Sequence, residues 1–184
     1  MKKVIFAAIA VMAFGVSNAQ ESKGYIGLSI GAAFPGGDLD NAKSGFNIGL
    51  INAGYRFSEN FGLTLNWGAS AFEDKDVSGY TTGIGYFAVG PMLTLPVNDK
   101  LGFDFKPQYA FTSAVDEYQG DKLEYSGPGG ILLSGTMNYS LAKHWGLAFN
   151  LDYLSTKFDE VEGESMDDVK VKTFTTSLGI QYKF

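Results

Sequence analysis

Trp145-Gly146-Leu147-Ala148-Phe149-Asn150-Leu151-Asp152-Tyr153 decides the fold. Its odd positions are large and apolar, and its even positions are small or polar. Side chains of a strand point alternately to its two faces, so the stretch reads as a strand with one bulky apolar face and one polar face. Its first five residues follow a phrase: apolar, glycine, apolar, any residue, apolar. The phrase recurs as Ile26-Gly27-Leu28-Ser29-Ile30, Phe61-Gly62-Leu63-Thr64-Leu65 and Leu101-Gly102-Phe103-Asp104-Phe105, with starts 35, 40 and 44 residues apart along the chain. That period holds one up-and-down hairpin with a loop at its far end. Four copies predict eight strands.

The other strands alternate in the same way. Phe61, Leu63, Leu65, Trp67, Ala69 and Ala71 oppose Gly62, Thr64, Asn66, Gly68 and Ser70, and Leu101, Phe103, Phe105, Pro107, Tyr109 and Phe111 oppose Gly102, Asp104, Lys106, Gln108 and Thr112. Among the return strands, Ile131, Leu133, Gly135, Met137 and Tyr139 oppose Ser134, Thr136, Asn138 and Ser140. No charge falls on an apolar face. Arg56, Asp104, Lys106, Asp152 and Lys183 all fall on the polar one. A soluble sandwich would bury its apolar face and scatter charge outside. Here the polar face is small and glycine-rich, as befits a lumen, while the apolar face is bulky with aromatics near strand ends. This is the pattern of a transmembrane barrel, apolar to lipid and polar inward. Closure is required, because an open edge would leave backbone groups unpaired in hydrocarbon. The expected fold is therefore all-β, an eight-stranded antiparallel up-and-down transmembrane β-barrel.

Connections alternate in length. Ser58-Glu59-Asn60, Pro96 to Lys100 and Leu141 to His144 are short and share one rim; about Pro35 to Ser44, Glu73 to Gly79, Ser113 to Ser126 and Ser155 to Lys170 read as longer polar loops at the other. Short turns toward the periplasm and long loops outside are the expected asymmetry. Tyr55, Phe57, Phe61, Trp145, Tyr182 and Phe184 fall near the short-turn rim, where an interfacial aromatic girdle belongs. Two irregularities stand out. Phe46, Ile48 and Leu50 change parity with Ile51, Ala53, Tyr55 and Phe57, which a bulge near Leu50 and Ile51 would reconcile. Pro91 and Pro107 each lack a ladder donor and predict local bulges.

The N-terminus sets the compartment. Met1-Lys2-Lys3 is a basic head, Val4 to Val16 an apolar run, and Ser17-Asn18-Ala19 a small-residue cleavage site. Residues 1–19 therefore read as a secretory signal peptide, with residues 20–184 as the barrel domain; the apolar run is too short for a membrane helix. Loss of Lys2 and Lys3 takes the net charge from −6 to −8. Such an acidic chain has no electrostatic footprint for nucleic acid. With no cysteine, it carries neither a disulfide framework nor a lipid-anchored Cys.

The signal sequence, the four hairpins, Asn52-Ala53-Gly54-Tyr55-Arg56-Phe57 and the strand ending at Phe184 together carry a family resemblance. The chain resembles the small Gram-negative outer-membrane β-barrel proteins, porin-like in plan and similar to the membrane domain of outer-membrane protein A and to outer-membrane protein X. The resemblance implies location in the cell outer membrane, among its lipid and lipopolysaccharide. It also implies passage through periplasmic chaperones to the barrel-assembly machinery, with Leu178, Ile180, Tyr182 and Phe184 as the assembly signal.

Candidate chemistry is sparse. His144 is the only histidine, on a short turn with no serine nucleophile placed near it by sequence, so no catalytic residue is expected. Gly83-Ile84-Gly85 and Gly127-Pro128-Gly129-Gly130 read as strand glycines and a strand entry, not a phosphate loop. Fifteen of the 20 acids fall in the four long connections, from Asp38 to Asp168. Carboxylates are hard ligands suited to calcium or magnesium, but Asp159-Glu160-Val161-Glu162-Gly163-Glu164 matches no EF-hand, so no metal or cofactor is expected. Arg56, Asp104, Lys106, Asp152 and Lys183 form a candidate polar network in a lumen just wide enough to be filled by side chains. The leading expectation is a non-enzymatic barrel with a plugged lumen and acidic loops for a surface ligand. A small passive pore is the alternative, and a lipid-modifying barrel enzyme a distant one.

Overall fold

The computed structural model describes residues 23–184; the expected signal segment lies outside the described residues. Nine strands follow one another: β1 (Gly24–Gly37), β2 (Gly45–Arg56), β3 (Phe61–Glu73), β4 (Tyr80–Pro96), β5 (Leu101–Tyr118), β6 (Asp121–Ser126), β7 (Gly129–Ser140), β8 (Trp145–Val161) and β9 (Glu164–Lys183). All pair antiparallel with their neighbours, and β1 pairs with β9 from Tyr25↔Lys183 to Gly37↔Val171. That pairing closes the ring, and Gly24 and Phe184 exchange two further backbone bonds of 2.9 Å at its foot. β6 and β7 are two halves of one stave. Both pair with β5 and both with β8, and between them Gly127 and Pro128 break the strand. Eight staves thus make a closed, up-and-down barrel.

The alternation read from sequence sets the two faces. Leu28, Ile30, Phe61, Leu63, Phe103, Phe105, Ile131, Leu147, Leu178 and Ile180 all point outward and are exposed, while Asn47, Thr64, Asp104, Lys106, Gln108, Asn150 and Gln181 are buried inside. The apolar belt runs over residues 61–71, 101–111, 145–153 and 174–182, close to the ~9–11 residues a tilted strand needs to cross the hydrocarbon. Above it, outward positions become Lys172 and Lys170 on β9 and Lys157 on β8. Aromatic rings mark both borders. Tyr182 packs between His144 and Trp145 at the turn end, and the pairs Phe34–Phe174 and Phe87–Phe111 sit at the far end.

The three short turns are one construction repeated. In each, two successive N–H groups bond the carbonyl that opens the next strand: Phe57 and Ser58 to Phe61, Val97 and Asn98 to Leu101, Leu141 and Ala142 to Trp145. The glycine of the repeated phrase follows this carbonyl and faces the lumen. A Cβ on Gly62 would stand 2.8 Å from Met92 Cε, and one on Gly146 2.9 Å from Lys183 Cε. The facing backbone sets the stricter limit: a Cβ on Gly62 would also meet the Tyr55 carbonyl oxygen at 2.4 Å, and one on Gly27 that of Ile180 at 2.5 Å, whereas Gly102 has room for one.

The bulge expected near Leu50 is present: Gly49 pairs Gly68 while Ile51 pairs Trp67, leaving Leu50 as the extra residue. It lets Phe46, Ile48, Leu50, Ile51 and Tyr55 all face outward despite the parity change. The prolines differ from expectation. The β4–β5 register is the same on both sides of them, from Val89↔Tyr109 to Leu93↔Phe105, so Pro91 stands opposite Pro107 and no bulge forms. The two missing donors coincide in one short gap of one ladder. Both outer ladders, Leu63↔Pro91 and Pro107↔Leu133, run through unbroken.

Two of the expected loops are strands. Ser113 to Ser126 is the β5–β6 hairpin, and Ser155 to Lys170 belongs to the β8–β9 hairpin, which pairs continuously from Trp145↔Tyr182 to Phe158↔Val169. Each ends in a two-residue turn with positive φ at both positions: Gln119 and Gly120 at 53° and 96°, Glu162 and Gly163 at 49° and 81°. That is the type I′ turn, whose twist matches its strands. Tyr125↔Val161 and Ser126↔Glu160 join the two hairpins into one wall rising above the belt.

Candidate functional site

The lumen is the candidate site, and its two halves differ. Toward the turn end it is polar. Asp104, 4% exposed, accepts hydrogen bonds from Thr94 Oγ1 and Asn138 Nδ2, both at 2.7 Å. Gln181 donates in turn to Asn138 Oδ1 at 3.0 Å. Lys106 is fully buried; its Nζ donates to Asn52 Oδ1 at 3.3 Å and lies 6.0 Å from the centre of the Tyr25 ring. Asp152 accepts from Thr175 at 3.3 Å, and Lys183 donates to Ser140 at 2.6 Å. All five charges of the candidate network, Arg56 included, fall on lumen positions of their strands. Asp104, Lys106, Asp152 and Lys183 meet amides and hydroxyls rather than one another directly. Neutral groups thus stand between the ionisable ones, with the shortest of these bonds at Asp104 and Lys183.

Several of these bonds cross the bore. Lys106 on β5 reaches Asn52 on β2, and Asn52 Nδ2 donates to Asn150 Oδ1 on β8 at 3.3 Å. Asn150 also accepts from Thr136 at 2.9 Å and donates to Ser177 at 3.1 Å. Asn66 on β3 donates to Gln108 on β5 at 3.0 Å, and Thr112 on β5 meets Thr156 on β8 at 2.6 Å. Strands that are not neighbours in the wall therefore touch through their side chains.

Toward the hairpin end the lumen is apolar. Phe72, Ile84, Leu132, Leu154, Phe158 and Val171 form one buried cluster with Ala33, Ala88, Ala110 and Ala114. Phe72 is 1% and Phe158 2% exposed. Full burial of such a ring is worth about 1.5–3 kcal/mol. Sequence reading passed over this apolar cluster and over the neutral partners Asn52, Asn138 and Tyr25. The signal available for the cluster was its parity: large apolar residues at 72, 84, 132, 154 and 158 lie on the face that is polar lower down.

Outside the belt, the acids serve the backbone. Asp74 Oδ1 accepts from the amides of Asp76 and Val77, both at 2.8 Å, which hold its carboxyl below the usual carboxylate range. Asp38 accepts from the Lys170 amide at 2.7 Å and Glu162 from the Glu124 amide at 2.8 Å, while Lys157 pairs with Asp159 and Asp168. Among the described residues no three His, Cys, Asp or Glu side chains converge as a metal site. His144 Nδ1 lies 3.0 Å from the Lys183 carbonyl oxygen, and its ring stacks on Tyr182. Leu178, Ile180 and Tyr182 of the expected assembly signal face outward on β9, and Phe184 closes the foot of the ring.

A family model described as the outer membrane protein beta-barrel domain matches residues 5–184. The chain belongs to this family. No curated protein sequence matches it. Among solved structures, the Neisserial surface protein A superposes with a TM-score of 0.68 at 15% identity, covering 89% of this chain and 98% of that one. The attachment invasion locus protein Ail of Yersinia pestis gives 0.54 at 16% identity, over 90% and 100% of the two chains. OprG of Pseudomonas aeruginosa gives 0.53 at 11% identity, over 90% and 98%. At these identities the likeness is one of fold. Membership of the outer-membrane β-barrel family places the chain in the Gram-negative outer membrane, in agreement with its belt and its closed ring.

Proposed function

We propose that this protein is a non-enzymatic outer-membrane barrel with a plugged lumen, acting through its projecting acidic hairpins as a structural or surface-interaction element. The observation that carries the reading is the set of direct hydrogen bonds across the bore, capped by the Phe72–Phe158 cluster. Side chains that bond across a lumen leave no continuous aqueous path. The short turns then face the periplasm and the β5–β6 and β8–β9 wall faces outward, where a surface ligand would meet it. Similarity of fold to a surface protein of Neisseria and to an attachment protein of Yersinia supports this orientation of roles. The secretory signal read in residues 1–19, and the assembly signal ending at Phe184, would bring the chain to the membrane through periplasmic chaperones and the assembly machinery.

The pore reading has one observation in its favour. Asn66 Oδ1, Gln108 Nε2 and Thr173 Oγ1 are buried in the lumen without a protein hydrogen bond, so each can hold water. Liposome swelling separates the two readings. Proteoliposomes of the refolded chain should swell in small sugars no faster than protein-free vesicles; swelling that scales with protein content would favour the pore.

A further inference from the structure

Where the belt ends on the hairpin side, β1, β9 and β8 carry three outward rows. Phe34, Phe174 and Tyr153 make an aromatic row, with the two phenylalanine rings 6.3 Å apart. Gly36, Lys172 and Ser155 form the next row, and one step higher Lys170 and Lys157 stand opposite each other. Lys172 is thus flanked by small residues. A Cβ on Gly36 would come no nearer than 3.8 Å to the facing strand, so that flank is open. Like charges directly opposite on one sheet face are destabilising. Lys157 is relieved by Asp159 at 3.3 Å and Asp168 at 2.9 Å, while Asp38, next to this patch, gives its Oδ2 to the Lys170 amide. Elsewhere at this end Lys43 pairs with Glu73, Lys122 with Glu117, and Lys75 donates to the Asp40 carbonyl. Among the described residues of the hairpin end, Lys170 and Lys172 are the cations whose ammonium groups have no protein partner.

We propose that this patch docks a phosphorylated lipid of the outer leaflet, the lipid A portion of lipopolysaccharide. One phosphate sits between Lys170 and Lys172, and acyl chains lie on Phe34, Phe174 and Tyr153. The two lysines are two residues apart on one face of β9, about 6.6 Å at the rise of an extended strand, a span that a phosphate bridges. Lysine is a point donor to phosphate, and its bond to an anionic oxygen is of the stronger class. The patch is continuous with the lipid-facing belt, so a ligand that is apolar below and anionic above fits it as a soluble anion does not. The inference rests on the outward orientation of the hairpin wall proposed above, because lipid A belongs to the outer leaflet.

The test adds lipid A in rising fraction to phosphatidylcholine nanodiscs holding the refolded processed chain, and follows backbone amide shifts by NMR. Saturable shifts are expected at residues 34–38, 155–157 and 170–174. Lys170→Gln/Lys172→Gln should raise the lipid A fraction at half-saturation about tenfold, while Lys43→Gln/Lys122→Gln should leave it unchanged. All four lysines are exposed, so both variants should form the barrel, which heat-modifiable gel migration verifies. Equal shifts with dephosphorylated lipid A or phosphatidylglycerol, the same shifts with inorganic phosphate alone, or an unchanged half-saturation in Lys170→Gln/Lys172→Gln would overturn the proposal. Nanodisc binding does not depend on which way the chain faces, so orientation is read separately on cells. The chain has no cysteine, and Asp167→Cys gives one site for a membrane-impermeant maleimide. Labelling of intact cells is expected. Binding without labelling would refute the orientation and the lipid A assignment with it; labelling without binding would refute the site alone.

Discussion

Asp104 is satisfied inside the barrel by two donors, Thr94 and Asn138, fixed on the neighbouring staves at 2.7 Å. A buried carboxylate without such partners would be strongly unfavourable. Removing the acceptor leaves the donors stranded, and each unsatisfied buried group costs about 1–3 kcal/mol. Asp104→Ala should therefore lower the unfolding free energy by roughly that amount or more, measured by denaturant unfolding in a lipid or detergent host. An unchanged midpoint would mean that the Asp104 cluster is not a stabilising part of the lumen. The same residues show how far the site was legible in sequence. Charge on the polar parity placed Asp104, Lys106 and Asp152 inside, because alternation is a local property. Their partners were not legible. Asn52 and Asn150 meet across the bore from β2 and β8, and only closure of the ring brings them together.

At the level of the strand, the apolar belt was readable and the rest was not, for a common reason. Within the membrane one face meets lipid and the other the lumen, so the period of two is imposed residue by residue. Above the belt both faces of the hairpin wall meet water, the constraint disappears, and β6 and the upper parts of β8 and β9 look like polar loop. The prolines were opaque for a different reason. Pro91 is compatible with the wall because Pro107 stands opposite it, and this pairing depends on register across sixteen positions of sequence. The hairpin tips make a sharper claim. Gly163 holds φ at 81° at the end of the β8–β9 hairpin. A β-branched residue there would adopt a left-handed conformation at a cost of roughly 1–2 kcal/mol. Gly163→Val should speed amide exchange in residues 158–169 while leaving the exchange of residues 174–182 in the belt unaltered. Equal acceleration in both regions would contradict the separation of wall from belt.

For the molecule as a whole, closure between β1 and β9 is what reconciles this composition with a membrane. Every interior ladder has a partner on both sides, so no strand edge meets lipid. The ring is also narrow enough for its contents to fill it. Amide and hydroxyl bonds span the lower bore, and an apolar cluster around Phe72, Leu132 and Phe158 closes the top. On the plugged reading proposed above, that division would set two barriers of unlike chemistry in series, one opposed to apolar solutes and one to ions. The account rests on the bore being occupied by the protein itself, and single-channel recording of the refolded chain in a planar bilayer examines this most directly. The filled lumen predicts a bilayer that stays electrically silent after insertion has been verified by heat-modifiable migration. Steady, unitary open currents would contradict it.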